Sequence, residues 1–363
     1  MKTLTRAELR KLVVQHATDF DASAAANPFA SVEWTLHFID QVARDDWLFW
    51  IAGEVEASAG WMLLYSEPSR PSELRALTNY YASLYSPLVG RHDSSASEVA
   101  VRTLGSASKP VATVDLAPIA LGSVETIQHA FSAAGWLTRR YSCFGNWYLP
   151  CAGLSFEQYM AARPSQLINT WRRKAKKFKP GTAEARLQLV MAPADVDVAM
   201  QAYGAVYAQS WKIAEPYPTF VSDWAAVCAE RGWLRLGIAW LGDTPIAAQF
   251  WFTMNRRAYI FKLAYDDAHS NWSAGTVLSA FLFQHSLDVD HVVEIDYLTG
   301  DDAYKQSWMT ERRERVGLIA CNPRTWRGLS RGVYEWAGEL RQRWQTAPKV
   351  REPAVVAEQE IAA

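Results

Sequence analysis

The feature that most constrains this chain is an alternation that occurs twice. Short apolar runs of strand character and amphipathic helical stretches follow one another in two blocks, with a strongly basic segment between them. Period-two and period-3.6 patterns interleaved in this way belong to α/β architectures. In the first block an apolar run, Leu12 to Val14, is followed by Asn27-Pro28-Phe29-Ala30-Ser31. That phrase opens a helix with Val32, Leu36, Ile39 and Val42 on one face and Ser31 as its cap. Trp47 to Ala52 and Ala57 to Tyr65 read as strands joined at Gly53-Glu54. Ser95-Ala96-Ser97-Glu98 reads as a capping box that opens a second helix. Val111 to Leu116 is a strand, Ser123 to Ala134 a helix stopped by Gly135, and Trp136 to Tyr141 a further strand.

The second block runs through helices at Ala194 to Ser210 and Thr219 to Arg231. Consecutive strands follow at Trp233 to Trp240, Pro245 to Thr253 and Ala258 to Tyr265. A helix from Ser273 to Leu287, a strand from Val292 to Asp296, a short helix at Asp302 to Trp308 and a strand from Arg315 to Ala320 complete it. Trp326, Leu329, Val333, Ala337, Leu340 and Trp344 then form a helical stripe. An internal echo links the blocks: Trp47-Leu48, Ile51-Ala52 and Trp61 resemble Trp233-Leu234, Ile238-Ala239 and Trp251. Either a duplicated unit or the shared chemistry of β-hairpins gives such an echo.

The expected fold is α/β (α+β), two tandem units each with a mixed central sheet flanked by helices. The expected divisions are 1–150, 151–345 and a disordered tail at 346–363 containing Pro348 and Pro353. The 363 residues suit two domains, and half of them are hydrophobic. Thirty-seven basic and 38 acidic residues nearly cancel, so any anion site must be local. Four cysteines at 143, 151, 228 and 321 match no zinc or haem spacing, and a reducing compartment is expected. The opening segment is charged at Lys2, Arg6, Glu8, Arg10 and Lys11, and no apolar stretch approaches the ~18 residues that span a bilayer. The expectation is a cytoplasmic protein without a transmembrane segment. Seventeen tryptophans serve core packing or line a ligand cleft.

Phosphate loops, Gly-x-Gly-x-x-Gly, His-Glu-x-x-His and Gly-x-Ser-x-Gly are absent. Three segments carry chemistry instead. From Tyr265 to Leu278 a strand runs into a polar loop and then into Ser273-Ala274-Gly275-Thr276. Small residues at a helix start leave backbone N–H groups open to a phosphate, although the same residues also read as a plain cap at Ser273. From Ile295 to Trp308 a buried strand delivers Asp296 as a candidate base, Tyr304 as a candidate acid and Lys305 as an anion clamp; a surface loop with an Asp cap is the alternative. From Pro164 to Lys179 an apolar stripe of Leu167, Trp171, Ala175 and Phe178 backs six positive charges. This is either a solvated face or a contact for phosphates.

In order, these segments resemble the GNAT acyltransferase superfamily. More closely, they resemble the CelD-like acetyltransferases found near polysaccharide-biosynthesis genes, tandem GNAT chains akin to the Fem-type peptidoglycan aminoacyltransferases. The resemblance is carried by Asn27-Pro28-Phe29, Tyr85-Ser86-Pro87-Leu88, Ser155-Phe156-Glu157-Gln158-Tyr159, the Trp171-Arg172-Arg173-Lys174 helix, Lys262-Leu263-Ala264-Tyr265-Asp266, Ser273 to Leu278 and Gly300 to Trp308. It implies acetyl-CoA or another acyl-CoA as co-substrate and no metal. Ser273, Ala274, Gly275 and Thr276 would hold the pyrophosphate, and Tyr304, Asp296 and Lys305 would be catalytic. Lys262, Tyr265, Arg172 and Trp308 would face substrate. The usual pyrophosphate signature is reduced to Ala274-Gly275. The acceptor would be a small-molecule amine or a sugar-linked amine of a polysaccharide or envelope precursor. An acyl-carrier protein or aminoacyl-tRNA donor, or a non-catalytic saccharide-binding role, stands as the alternative.

Overall fold

The computed structural model describes residues 1–346 except 56–59, 91–92, 179–184 and 211. The first half runs β1 (Lys2–Leu4), α1 (Arg6–Gln15), α2 (Ala17–Ala24), α3 (Val32–Gln41), β2 (Leu48–Gly53), β3 (Trp61–Ser66), β4 (Glu73–Ala76), α4 (Ser94–Gly105), β5 (Thr113–Ala120), α5 (Leu121–Ala133) and β6 (Leu137–Pro150). The second runs α6 (Phe156–Ala161), α7 (Ser165–Ala175), β7 (Ala185–Val190), α8 (Val196–Ala208), α9 (Phe220–Glu230), β8 (Leu234–Leu241), β9 (Thr244–Met254), β10 (Arg257–Tyr265), α10 (Ala274–Gln284), β11 (Glu294–Asp296), β12 (Glu311–Cys321) and α11 (Trp326–Thr346).

The strands join one sheet in the order β1-β2-β3-β4-β5-β12-β6-β11-β10-β9-β8-β7. Read inward from its two edges, the order repeats. Neighbours are antiparallel except β4–β5 and β10–β11, which are parallel and are bridged by α4 and α10. The last strand of each half is exchanged: β12 pairs with β5, and β6 pairs with β11. The two tandem units with mixed sheets and flanking helices are therefore present, fused through a common centre. The Trp47 and Trp233 echo falls on equivalent hairpins, β2–β3 and β8–β9.

Strand alternation sorts side chains into three cores. Phe49, Ile51 and Leu63 of the first unit and Leu234, Leu236, Phe250 and Phe252 of the second share one core with α1–α3 and α8–α9. There Trp34 meets Trp224 edge-to-face at 4.9 Å between centroids, and His37 bonds the carbonyl of Phe220 at 2.9 Å. The opposite faces pack separately, against α4 and α5 in the first unit and against α6, α7 and α10 in the second.

Several boundaries differ from those the sequence suggests. β6 extends to Pro150 because its polar residues, Asn146 among them, face a polar stretch of the sheet centre and break the apolar pattern. β1 and β4 are too short to show a period. Leu12 to Val14 lie in α1, where Leu12 and Val13 are buried. The cap of α4 is Asp93, which accepts from the Ala96 N–H at 2.8 Å, so the helix begins before the Ser95–Glu98 box. Residues 57–59 of the expected second strand, Lys179 and the expected tail beyond residue 346 lie outside the described residues.

Gly237 on β8 fixes how closely α10 approaches the sheet. A Cβ there would lie 2.9 Å from Leu278 Cδ1 and 3.0 Å from Leu282 Cδ1. Gly237→Val should therefore push α10 outward and destabilise the protein by about 1–3 kcal/mol, as overpacking does. A denaturant titration unchanged from wild type would show that α10 is not seated by this contact.

Candidate active site between the splayed strands

The parallel pairing of β10 and β11 is brief, running from Arg257↔Glu294 to Tyr259↔Asp296. Beyond it the strands part. β10 continues to Tyr265 with a register shift between Ile260 and Lys262, the local extra residue that re-aims side chains at sites of this kind. After β11, Leu298 and Gly300 adopt positive φ of 55° and 105° and turn the chain away. The split opens into a cavity of about 220 Å³ lined by Tyr80, Tyr81, Lys212, Lys262, Tyr304 and Lys305, among others. Both units thus contribute to one wall.

Lys262 is largely buried. Its Nζ donates to Glu215 Oε1 at 2.8 Å and lies 4.6 Å from the centroid of the Tyr81 ring. Burial lowers its pKa from the ordinary lysine value. Lys212 also lines this cavity; burial, then the nearby Lys262 charge, lowers its pKa to about 8. Lys212 and Glu215 border a second cavity of about 640 Å³ against α8 and α9, so the two voids share charged residues. Tyr304 is half-exposed, edge-on to Tyr297 at 5.8 Å, and burial together with Asp302 raises its phenol pKa, keeping it protonated. Lys305 is 4% exposed. Its Nζ donates to the carbonyls of Thr299 at 2.6 Å and Gly300 at 3.2 Å and pairs with Asp302 at 3.1 Å. It ties the turn together from within. A Cβ on Gly300 would lie 3.1 Å from that ammonium, so glycine serves both the backbone angle and the cradle.

On the far side of the split lies the start of α10. Ser273 adopts a left-handed conformation and makes no side-chain cap. Among the described residues, the one atom that meets a Cβ built on Gly275 within 4 Å is Tyr265 Cδ1, at 3.6 Å. Among the described residues the first-turn N–H groups of Ala274, Gly275 and Thr276 have no acceptor. The basic helix converges here: Lys174 Nζ donates to the Asn271 carbonyl, and Lys177 sits 4.5 Å over the Trp272 ring. Arg172 is exposed on α7. In the first unit the equivalent helix, α4, has its N-terminus occupied by the Asp93 carboxylate.

Two named residues lie elsewhere. Asp296 is 3% exposed, accepts from Asn146 Nδ2 at 2.6 Å and the Leu298 N–H at 2.7 Å, and pairs with Arg313. It faces a different cavity from the one that holds Tyr304 and Lys305. Trp308 is stacked on Phe283 at 5.1 Å in the core beneath α10. Tyr80, Tyr81, Lys212 and Glu215 escape a reading by motif, since they come from loops distant in sequence. Among the described residues no group of three His, Cys, Asp or Glu is placed to hold a metal ion, and no helix is long and apolar enough to cross a membrane.

The Lys212 environment has a pH signature. The native lysine releases its proton near pH 8 and the unfolded one near 10.5, so between those values the unfolded state binds more protons. The destabilisation is complete below about pH 8 and is relieved as pH rises. Lys212→Met should thus melt above wild type at pH 7, with the difference shrinking toward pH 10.5. A difference in melting temperature that stays constant across that range would contradict the assignment.

Residues 165–306, from the start of α7 to the turn after β11, match the family model described as an acetyltransferase (GNAT) domain. No match is found among curated proteins. Among solved structures, FemX is similar at 9% identity with a TM-score of 0.57, over 88% of this chain and 97% of that one. The C-terminal domain of a putative lysylphosphatidylglycerol synthetase from Agrobacterium fabrum is similar at 10% identity and a TM-score of 0.55, over 91% and 97%. L-PGS from Bacillus licheniformis is similar at 10% identity and 0.51, over 89% and 96%. At such identities the likeness is one of fold, and the match to a GNAT domain covers residues 165–306.

Proposed function

We propose that this chain is an acyl-CoA-dependent N-acyltransferase of the CelD-like kind. Its acceptor would be a small-molecule amine such as an amino sugar of a polysaccharide or envelope precursor, and its two units would meet near residue 150. The observation that carries the reading is the uncapped start of α10 lying at one side of the β10–β11 split whose other side is the Tyr304 cavity. The N–H groups of Ala274, Gly275 and Thr276, with Ser273, would bind the pyrophosphate of acetyl-CoA, favoured by the helix dipole and flanked by Lys174 and Lys177. Tyr265 would border that site, with Arg172 on its exposed rim. The pantetheine arm would run through the split to the cavity.

In the reaction the amine nitrogen bonds to the thioester carbonyl carbon and the carbon–sulfur bond breaks. Tyr304 would protonate the departing thiolate. Lys212, whose neutral form is accessible near pH 8, would take the proton that the amine loses. Lys262, paired with Glu215, would orient the acceptor. Asp296 and Lys305 would act by position, one fixing the end of β11 and the other closing the turn that carries Tyr304. Aminoacyl-tRNA is the second donor reading, favoured by the basic face of α7 beside α10.

Thermal shift with acetyl-CoA separates these readings. A ligand at ~100 times its dissociation constant stabilises by about 2.7 kcal/mol. Gly275→Asp should abolish that shift by repelling the phosphates. A wild type that responds only to aminoacyl-tRNA, to an acyl-carrier protein or to a free saccharide would refute acyl-CoA as donor. With an acceptor in hand, Tyr304→Phe should lower turnover about 10²–10⁴-fold with donor affinity unchanged. Turnover within about twofold of wild type would remove Tyr304 from the chemistry.

A further inference from the structure

A cavity of about 470 Å³ lies over the centre of the sheet, on the face that carries Tyr259, Glu294 and Asp296. Two phrases distant in sequence form its roof. Asn27 donates from Nδ2 to Ser86 Oγ at 3.0 Å and to the Leu84 carbonyl at 3.3 Å, closing the Asn27-Pro28-Phe29 turn onto Tyr85-Ser86-Pro87. Its floor is formed by polar residues of β10, β11 and β12. Arg257, Arg313 and Arg315 line it, against two carboxylates, Glu294 and Asp296.

The charges do not pair evenly. Arg313 engages both carboxylates through Nη2, bonding Glu294 at 2.9 Å and pairing with Asp296, and its Nε donates to Asn146 Oδ1 at 2.6 Å. Arg315 is 4% exposed and makes one hydrogen bond, from Nη2 to the same Asn146 oxygen at 2.9 Å. Its Nε has no acceptor, and among the described residues no carboxylate lies within ion-pairing distance of it. A guanidinium withdrawn from water without a direct ion-pair partner is costly to the fold; burial, and next the Arg313 charge, lower its pKa to about 10 against the opposing field of Asp296 and Glu294. The space beside it is large enough for a small organic ligand. Ser86 and Ser123 stand in the walls as partners for hydroxyl groups, and Phe29 and Leu298 for apolar contact.

We propose that this cavity binds a small hydroxylated organic anion, with Arg315 receiving its carboxylate or phosphate group. The site is separate from the α10 end, and the proposal stands whether or not acyl-CoA is the donor. Leu298 walls both this cavity and the one that holds Tyr304, so an occupant would touch the turn that leaves β11.

The test measures binding and melting of the full chain with glucuronate, glucose 6-phosphate and, as the neutral control, glucose. Wild type should bind and be stabilised by at least one of the anions and not by glucose; the tighter anion assigns the group as carboxylate or phosphate. Arg315→Met should weaken that binding by at least about tenfold, yet melt above wild type without ligand, because it removes a buried charge that has no direct ion-pair partner. Ser123→Trp, at the exposed mouth, should also abolish binding while leaving the buried residues untouched, so it decides the matter if Arg315→Met fails to fold. Gly275→Asp should bind the anion as wild type does, which separates this site from the α10 terminus. Wild-type affinity in Ser123→Trp or in folded Arg315→Met, loss of binding in Gly275→Asp, or no anion binding by wild type would overturn the proposal.

Discussion

Everything in this molecule hangs on the antiparallel pairing of β6 with β12, which runs from Glu311↔Tyr148 to Cys321↔Leu137. Each strand belongs in chain order to one unit and completes the sheet of the other. The exchange makes the sheet continuous and brings α3 against α9, so that the tryptophan-rich core is common property. It also sets charged residues of β12 and Asn146 of β6 at the middle of the sheet, where a separate unit would have an edge exposed to water. Their mutual hydrogen bonds satisfy most of the buried polar atoms there.

The duplication is symmetrical in scaffold and asymmetrical in chemistry. Both units hold one parallel pair crossed by one helix. In the first unit the crossing helix is closed by its own aspartate, and α5, which links β5 to β6 in the chain, packs over β12, β6 and β5. In the second the crossing helix starts uncapped, and only a single turn, Ala303–Ser307, stands where the first unit has a full helix. Covering that position with one turn leaves Tyr304 half-exposed at the end of the split. One copy has kept the structural role and the other has kept the opening.

The alternation of apolar runs was enough to read the α/β class, the tandem repeat and most helices, because burial on one face writes itself into the sequence with a fixed period. The sheet centre was not legible. Asn146, Arg313 and Arg315 sit on inner strands yet are polar, and the hydrogen bonds that Asn146 accepts from both guanidinium groups offset part of their desolvation in place of apolar contact. The small-residue start of α10 is readable as a helix N-terminus, but the left-handed Ser273 that leaves it uncapped is not. Lys262 was visible on its strand. Its partner Glu215 and the neighbouring Lys212 were not, because a loop of irregular backbone carries no period. Asp296 reads from sequence as a candidate base at a strand end, and only the cross-strand register reveals Arg313 beside it.

The strand exchange also bears on how the chain is made. A nascent polypeptide synthesised through β6 carries β5 without one of its two partners and β6 without either of its own, since β11 and residues 311–321 of β12 lie far downstream. Until residues 311–321 emerge from the ribosome, β5 and β6 present edges of unpaired backbone groups. Pairing between strands so remote in sequence is slow, because the loop must close before any contact forms. The first unit is thus complete in sequence long before it can be complete in structure, and a translational pause between β6 and β12 lengthens the interval in which those edges meet other chains.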